Sequence, residues 1–142
     1  MRNKAWIGCA AILVALSVGQ AARADDVTGR DQILCAVQEV NLCFPGDVCD
    51  QGPPWVWNVP DFIEVDFAAK ELRTTKASGE NRKTPIRDVV RADGQVVVSG
   101  LQNGRAFTLA ITEDTGTATL SMAAPGKGGV AFAVCTPMPA GR

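Results

Sequence analysis

Ala106-Phe107-Thr108-Leu109-Ala110-Ile111-Thr112 alternates between large apolar and small or polar side chains, as a strand with one face on a core does. Val96-Val97-Val98-Ser99 precedes it, and Gln102-Asn103-Gly104-Arg105 joins the two runs. Asn-Gly supplies the positive φ angles of a tight hairpin turn. Glu113-Asp114-Thr115-Gly116 is the next turn. Thr117 to Met122 then puts Ala118, Leu120 and Met122 on one face and Thr117, Thr119 and Ser121 on the other.

Strands fit on both sides of this centre. Ile86 to Arg91 precedes it, with Ala92-Asp93-Gly94 as its turn. Pro125 to Gly129 reads as a loop, and Val130 to Thr136 as the last strand. There Val130, Phe132 and Val134 are expected inward, with Cys135 on the opposite face. Upstream, Asp61 to Phe67 alternates, with Ile63, Val65 and Phe67 inward and Glu64 and Asp66 outward. Leu72 to Thr75 returns from it. Ile33 to Cys43 fits a helix face (Ile33, Leu34, Val37, Val40) or a strand face (Leu34, Ala36, Val40, Leu42) interrupted at Gln38; the β-rich surroundings favour the strand. The expected fold is all-β: an antiparallel meander of about eight strands forming a small closed or nearly closed barrel, its first strand pairing with its last to remove both edges. A two-sheet sandwich is the alternative.

The 142 residues make one domain preceded by an export signal. Arg2 and Lys4 form a positive start, Ala5 to Gly19 an apolar stretch, and Ala22-Arg23-Ala24 a small-x-small cleavage site. The apolar stretch falls short of the about 20 residues of a membrane span. Residues 1–24 are thus read as the signal and 25–142 as the domain, with Asp25 to Arg30 and the tail from Pro137 loose. The mature chain holds 11 basic and 15 acidic residues, a net charge of −4. Nucleic acid and anionic membrane both require a basic face, so neither is expected as a partner. A periplasmic or secreted monomer is expected.

Four cysteines remain after cleavage, Cys35, Cys43, Cys49 and Cys135, and an even number in an exported chain reads as two disulfides. Three pairings are available. Pro45-Gly46 turns the chain back between Cys43 and Cys49, and Cys35 and Cys135 lie on the first and last strands. The predicted bridges are therefore Cys43–Cys49 and Cys35–Cys135. No metal site is expected: the chain has no His and no Cys-x-x-Cys.

Catalytic sets are missing in the same way. Without His there is no Ser-His or Cys-His pair, and Tyr is absent too. Glu64 and Asp66 stand about 7 Å apart on one strand face by the two-residue rise, a spacing usable in glycoside hydrolysis or an ordinary solvated face. Asp47, Asp50 and Asp61 lack the spacing of a calcium loop. Arg82 and Lys83 form either a solvated loop tip or a docking point for an acidic partner. Trp55 and Trp57 sit in a loop stiffened by Pro53, Pro54 and Pro60. In an extended segment they point the same way, as a recognition platform for a partner or as a plug for the end of the barrel.

Cys35-x7-Cys43-x5-Cys49, Asp61-Phe62-Ile63-Glu64-Val65-Asp66, Thr112-Glu113-Asp114-Thr115-Gly116 and the closing Ala133-Val134-Cys135 together resemble a group of small exported proteins of Gram-negative bacteria, of unassigned function. The resemblance implies periplasmic residence and a β-meander, and it transfers no catalytic residue. A looser, fold-level similarity is to periplasmic lysozyme inhibitors, small exported β-barrels with disulfides, whose inhibitory loop motif is not found here. The expected function is non-enzymatic binding of a protein partner or a small apolar ligand, with no cofactor. A carboxylate-only enzyme such as a glycan hydrolase and a passive envelope-structural protein are the alternatives.

Overall fold

A computed structural model describes residues 24–139. The export signal read in residues 1–24 lies, except for Ala24, outside them. The fold is all-β and antiparallel, with ten strands rather than eight: β1 Gln32–Cys43, β2 Asp50–Gly52, β3 Phe62–Asp66, β4 Glu71–Thr74, β5 Lys83–Pro85, β6 Asp88–Ala92, β7 Gln95–Gln102, β8 Arg105–Thr112, β9 Thr117–Ala124 and β10 Lys127–Pro137. The two extra strands, β2 and β5, are three residues each and lie in stretches rich in turn residues. One sheet holds them all, in the order β5-β4-β3-β1-β10-β9-β8-β7-β6, with β2 also paired to β1.

The sheet curls through 284° and does not close. The first and last strands do pair, but at the middle of the sheet, because β1 carries β3 on its other side. The edges are β5 and β6, which are consecutive in sequence. Their connection crosses the gap: Ile86 N–H donates to the Lys70 carbonyl and Arg87 N–H to the Ser99 carbonyl. Beyond β6, the Gln102 side chain laces β7 to β5, donating to the Lys83 carbonyl (2.8 Å) and accepting from Thr84 Oγ1 (2.6 Å). Gly100 permits this crossing, since a Cβ there would stand 2.7 Å from the Pro85 carbonyl oxygen and 2.5 Å from the Phe107 ring. Near the other end Arg91 lies over the Phe67 ring, 4.8 Å from its centroid, and pairs with Glu113.

The hairpin turns follow from their residues. Asp93-Gly94 and Asn103-Gly104 both have positive φ at each position, as a two-residue primed turn requires. Pro125-Gly126 is a third two-residue turn, with Gly126 at φ 73°. The expected loop to Gly129 is therefore two residues long, and β10 starts at Lys127.

The concave face carries the core. Val96, Val98, Leu109, Ile111, Ala118, Leu120, Ile63 and Val65 are buried as the alternation predicts, with Phe67, Phe107 and Met122 half-buried against them. Strand β10 has the opposite phase from that expected. Ala131, Ala133 and Cys135 point inward, while Phe132 is 45% exposed and Val130 and Val134 are half-buried. A period of two leaves no choice once Cys135 faces in to meet Cys35.

Strand β1 changes phase midway. Ile33, Cys35 and Val37 are buried, then Val40, with a β-bulge between Val37 and Glu39 at Gln38. The bulge carries an extra residue, so neither an odd nor an even face describes the whole strand.

Both predicted disulfides are present. Cys35 and Cys135 are directly opposed residues of β1 and β10, with Cα atoms 4.0 Å apart. Cys43–Cys49 closes a seven-residue loop around Pro45-Gly46. Two formed disulfides fit a non-cytoplasmic compartment. Among the described residues no helix is long and apolar enough to cross a membrane.

Within the described residues, the segments that flank the sheet are tied down rather than loose. Val27 is buried, and its N–H donates to Glu113; Asp25 N–H donates to Cys135. Thr28 donates to the Asp26 carboxylate and holds its pKa below the ordinary carboxylate range. Strand β10 runs to Pro137, opposite Ile33.

Candidate functional site

The two carboxylates of β3 serve the fold. Asp66 is not a solvated outward residue. It is 5% exposed and accepts from Gln32 Nε2 (2.7 Å), the Ala69 N–H (2.7 Å) and Arg73 Nη2 (3.2 Å). Three donors offset the loss of water around a buried carboxylate and fix the β3–β4 turn. Glu64 stands on the same face, 3.7 Å from Arg73 Nε. One guanidinium thus binds both carboxylates. Among the described residues no group of three or more His, Cys, Asp or Glu is gathered for a metal ion, and Asp47, Asp50 and Asp61 form no cluster.

The proline-rich loop holds a single-turn 3-10 helix at Pro54–Trp57, with Pro54 in its first turn and Asn58 ending it at φ 57°. An expectation of extended backbone here fails, because proline is tolerated at the start of a helical turn. Trp55 and Trp57 consequently point different ways. Trp55 is 71% exposed, with Val56 exposed beside it; Trp57 packs against the core. The Trp57 indole lies under β2, where a Cβ on Gly52 would stand 3.2 Å from Nε1. Neither ring pairs with the other as one platform.

Arg82 holds this loop in place and is not a free loop tip. Its guanidinium donates to the Asn58 carbonyl (2.9 Å) and to Asn58 Oδ1 (2.7 Å), and pairs with Glu80 (3.1 Å). The β4–β5 connection is thereby fastened to the tryptophan loop.

Between them opens a cup of about 430 Å³ at one end of the curled sheet. Trp57, Ile63, Leu72, Phe107, Leu120 and Met122 supply its apolar lining. Gly128 and Gly129 form part of its wall, where β10 passes Leu42 and Cys43 of β1 without side chains of its own. Among the described residues, five cationic residues also line it, Arg73, Arg82, Lys83, Arg105 and Lys127, and no carboxylate does. Among the described residues, Trp57 Nε1 and Arg73 Nε are buried without a hydrogen-bond partner, and both residues line the cup.

The sequence left Trp55 and Trp57 as either a platform or a plug for the end of the barrel, assigned Phe107 and Met122 to the core and left Arg105 and Lys127 unremarked. A signal for both cations was available in turn parity. Successive hairpin turns alternate between the two ends of a meander. Asn103-Gly104 and Pro125-Gly126 are two turns apart, so both lie at the cup's end, and each is followed at once by a cation. The turns at the opposite end carry Asp93, Glu113 and Asp114.

Fold and site together define a disulfide-stapled, curled antiparallel sheet with an apolar, cation-edged cup at one end. Comparisons with protein-family models, curated proteins and solved structures find no match.

Proposed function

We propose that this chain is a monomeric, non-enzymatic periplasmic binding protein that holds a small apolar ligand in the cup. The observation that carries the reading is the cup itself. Its volume of about 430 Å³ falls in the range of about 300–1,000 Å³ found for ligand sites, and its lining combines aromatic and aliphatic side chains with a few polar groups. The engagement of Glu64 and Asp66 by Arg73 supports binding over carboxylate catalysis. The export signal and the two disulfides support the periplasm.

Decanol, titrated into the mature protein and followed calorimetrically, is expected to bind at one site. Met122→Trp, which fills the cup from β9, is expected to weaken that binding at least tenfold while near-ultraviolet circular dichroism still reports a packed fold. No binding by the parent protein up to the solubility limit ends this reading, and so does unchanged binding in a folded Met122→Trp.

A second reading rests on Trp55. An indole with 71% of its surface in water, on a stiff turn fastened by Arg82, is the kind of anchor that carries binding energy in protein interfaces. Trp55→Ala is expected to leave decanol binding and the urea midpoint within error of the parent. It should remove any protein that co-purifies stoichiometrically from a periplasmic extract. A partner retained by Trp55→Ala would place the protein-binding surface elsewhere.

A further inference from the structure

We infer that the ligand of the cup is an anionic amphiphile, with one acyl chain inside and an acidic head held at the mouth by Arg105 and Lys127. The inference rests on the cup being a binding site and adds the chemistry of what fills it.

The charge at the mouth runs against the charge of the chain. The mature protein carries −4, yet among the described residues the cup is lined by five cationic residues and no carboxylate. Three of the five are committed. Arg73 binds Asp66 and Glu64, Arg82 binds Asn58 and Glu80, and Lys83 stands 3.9 Å from Glu71. Arg105 and Lys127 form no ion pair among the described residues.

Their placement follows from the ladder. Lys127 opens β10 opposite Ala124 of β9, and Arg105 opens β8 beside Ala106, which faces Ala123. The two cations therefore flank the end of β9, with backbones about 10 Å apart at two interstrand spacings. An acidic head lying over Ala123 and Ala124 meets one cation from each side. The apolar floor below cannot take a charge, since an unpaired buried carboxylate is far costlier than a solvated one. A ligand suited to both regions has its charge at one end and hydrocarbon at the other.

Three ten-carbon ligands separate this inference from the reading beneath it: decanoate, decanol and decylammonium, each titrated calorimetrically into the mature protein below its aggregation threshold. Decanoate is expected to bind at least tenfold tighter than decanol, and decylammonium more weakly than decanol. Octanoate should bind about fifteenfold more weakly than decanoate, because it lacks two methylenes and each buried methylene contributes about fourfold. Raising the salt from 0.05 to 0.5 M should weaken decanoate and leave decanol unchanged. In Arg105→Gln/Lys127→Gln the affinity for decanoate should fall to that for decanol, with decanol unaffected. Equal affinity of the parent for decanoate and decanol overturns the anionic head and leaves the cup as a site for neutral ligands. The same conclusion follows if the double variant keeps its preference for decanoate. Failure of all three ligands to bind removes the cup as a site altogether.

Discussion

Replacing Cys35 and Cys135 together by alanine is expected to lower the free energy of unfolding by up to about 4–5 kcal/mol, the chain-entropy value for a loop of about a hundred residues. The two residues are 100 apart in sequence and are each 1% exposed. Their bridge joins opposed positions at the middle of the sheet, so it holds together the β3–β5 and β6–β9 halves of the chain on either side of the β1–β10 pair. Without it the unfolded chain regains that loop entropy, and the folded core loses two buried sulfurs. A domain of this size has about 5–15 kcal/mol in total, so a loss of this size removes a large part of its stability. Cys43→Ala/Cys49→Ala opens only a short, exposed loop and should lose about 2 kcal/mol. Urea titration of both double variants measures the difference. A larger loss from the Cys43–Cys49 pair would show that the long-range bridge does not dominate the stability of the fold.

Leu109→Ala is expected to lose about 2–5 kcal/mol, whereas Thr108→Ala, one residue earlier, should lose less than about 1 kcal/mol. Leu109 is 2% exposed and lies between Val98 and Leu120 on the neighbouring strands, so truncation leaves a hole that buried neighbours cannot close. Thr108 is exposed on the convex face, between Ser99 and Ser121. Equal losses at the two positions would mean that β8 presents its other face to the core.

The meander from β7 to β9 was legible because each signal there is local. Asn103-Gly104 can turn tightly whatever surrounds it, and the alternation through Leu109, Ile111, Ala118 and Leu120 states which face is covered. The disulfides were legible because a Pro-Gly turn brings Cys43 to Cys49 and leaves one remaining pair. Three features depended on long-range partners. The face of β10 is set by Cys135 meeting Cys35 a hundred residues away, which outweighs the hydrophobicity of Phe132 and Val134. The phase of β1 changes at a bulge whose only trace in sequence is Gln38. Asp66 reads as a solvent residue because the donors that enclose it, Gln32 and Arg73, come from two other strands.

The cup shows the same division. Its charge asymmetry was present in the sequence, in the cations after two alternate turns and the acids in the other two. By itself the sequence determined an antiparallel β domain with two particular disulfides, since turn chemistry, period-two alternation and cysteine spacing act over a few residues. Only the tertiary structure decided that the sheet stops short of closure. It also decided that Trp57 turns in while Trp55 faces water, and that Phe107 and Met122 line an opening instead of a sealed core. Those outcomes depend on where β5 meets β7, on Gly100 letting the chain cross and on Arg82 reaching Asn58. All three are contacts between segments far apart in the chain, and no local pattern encodes them.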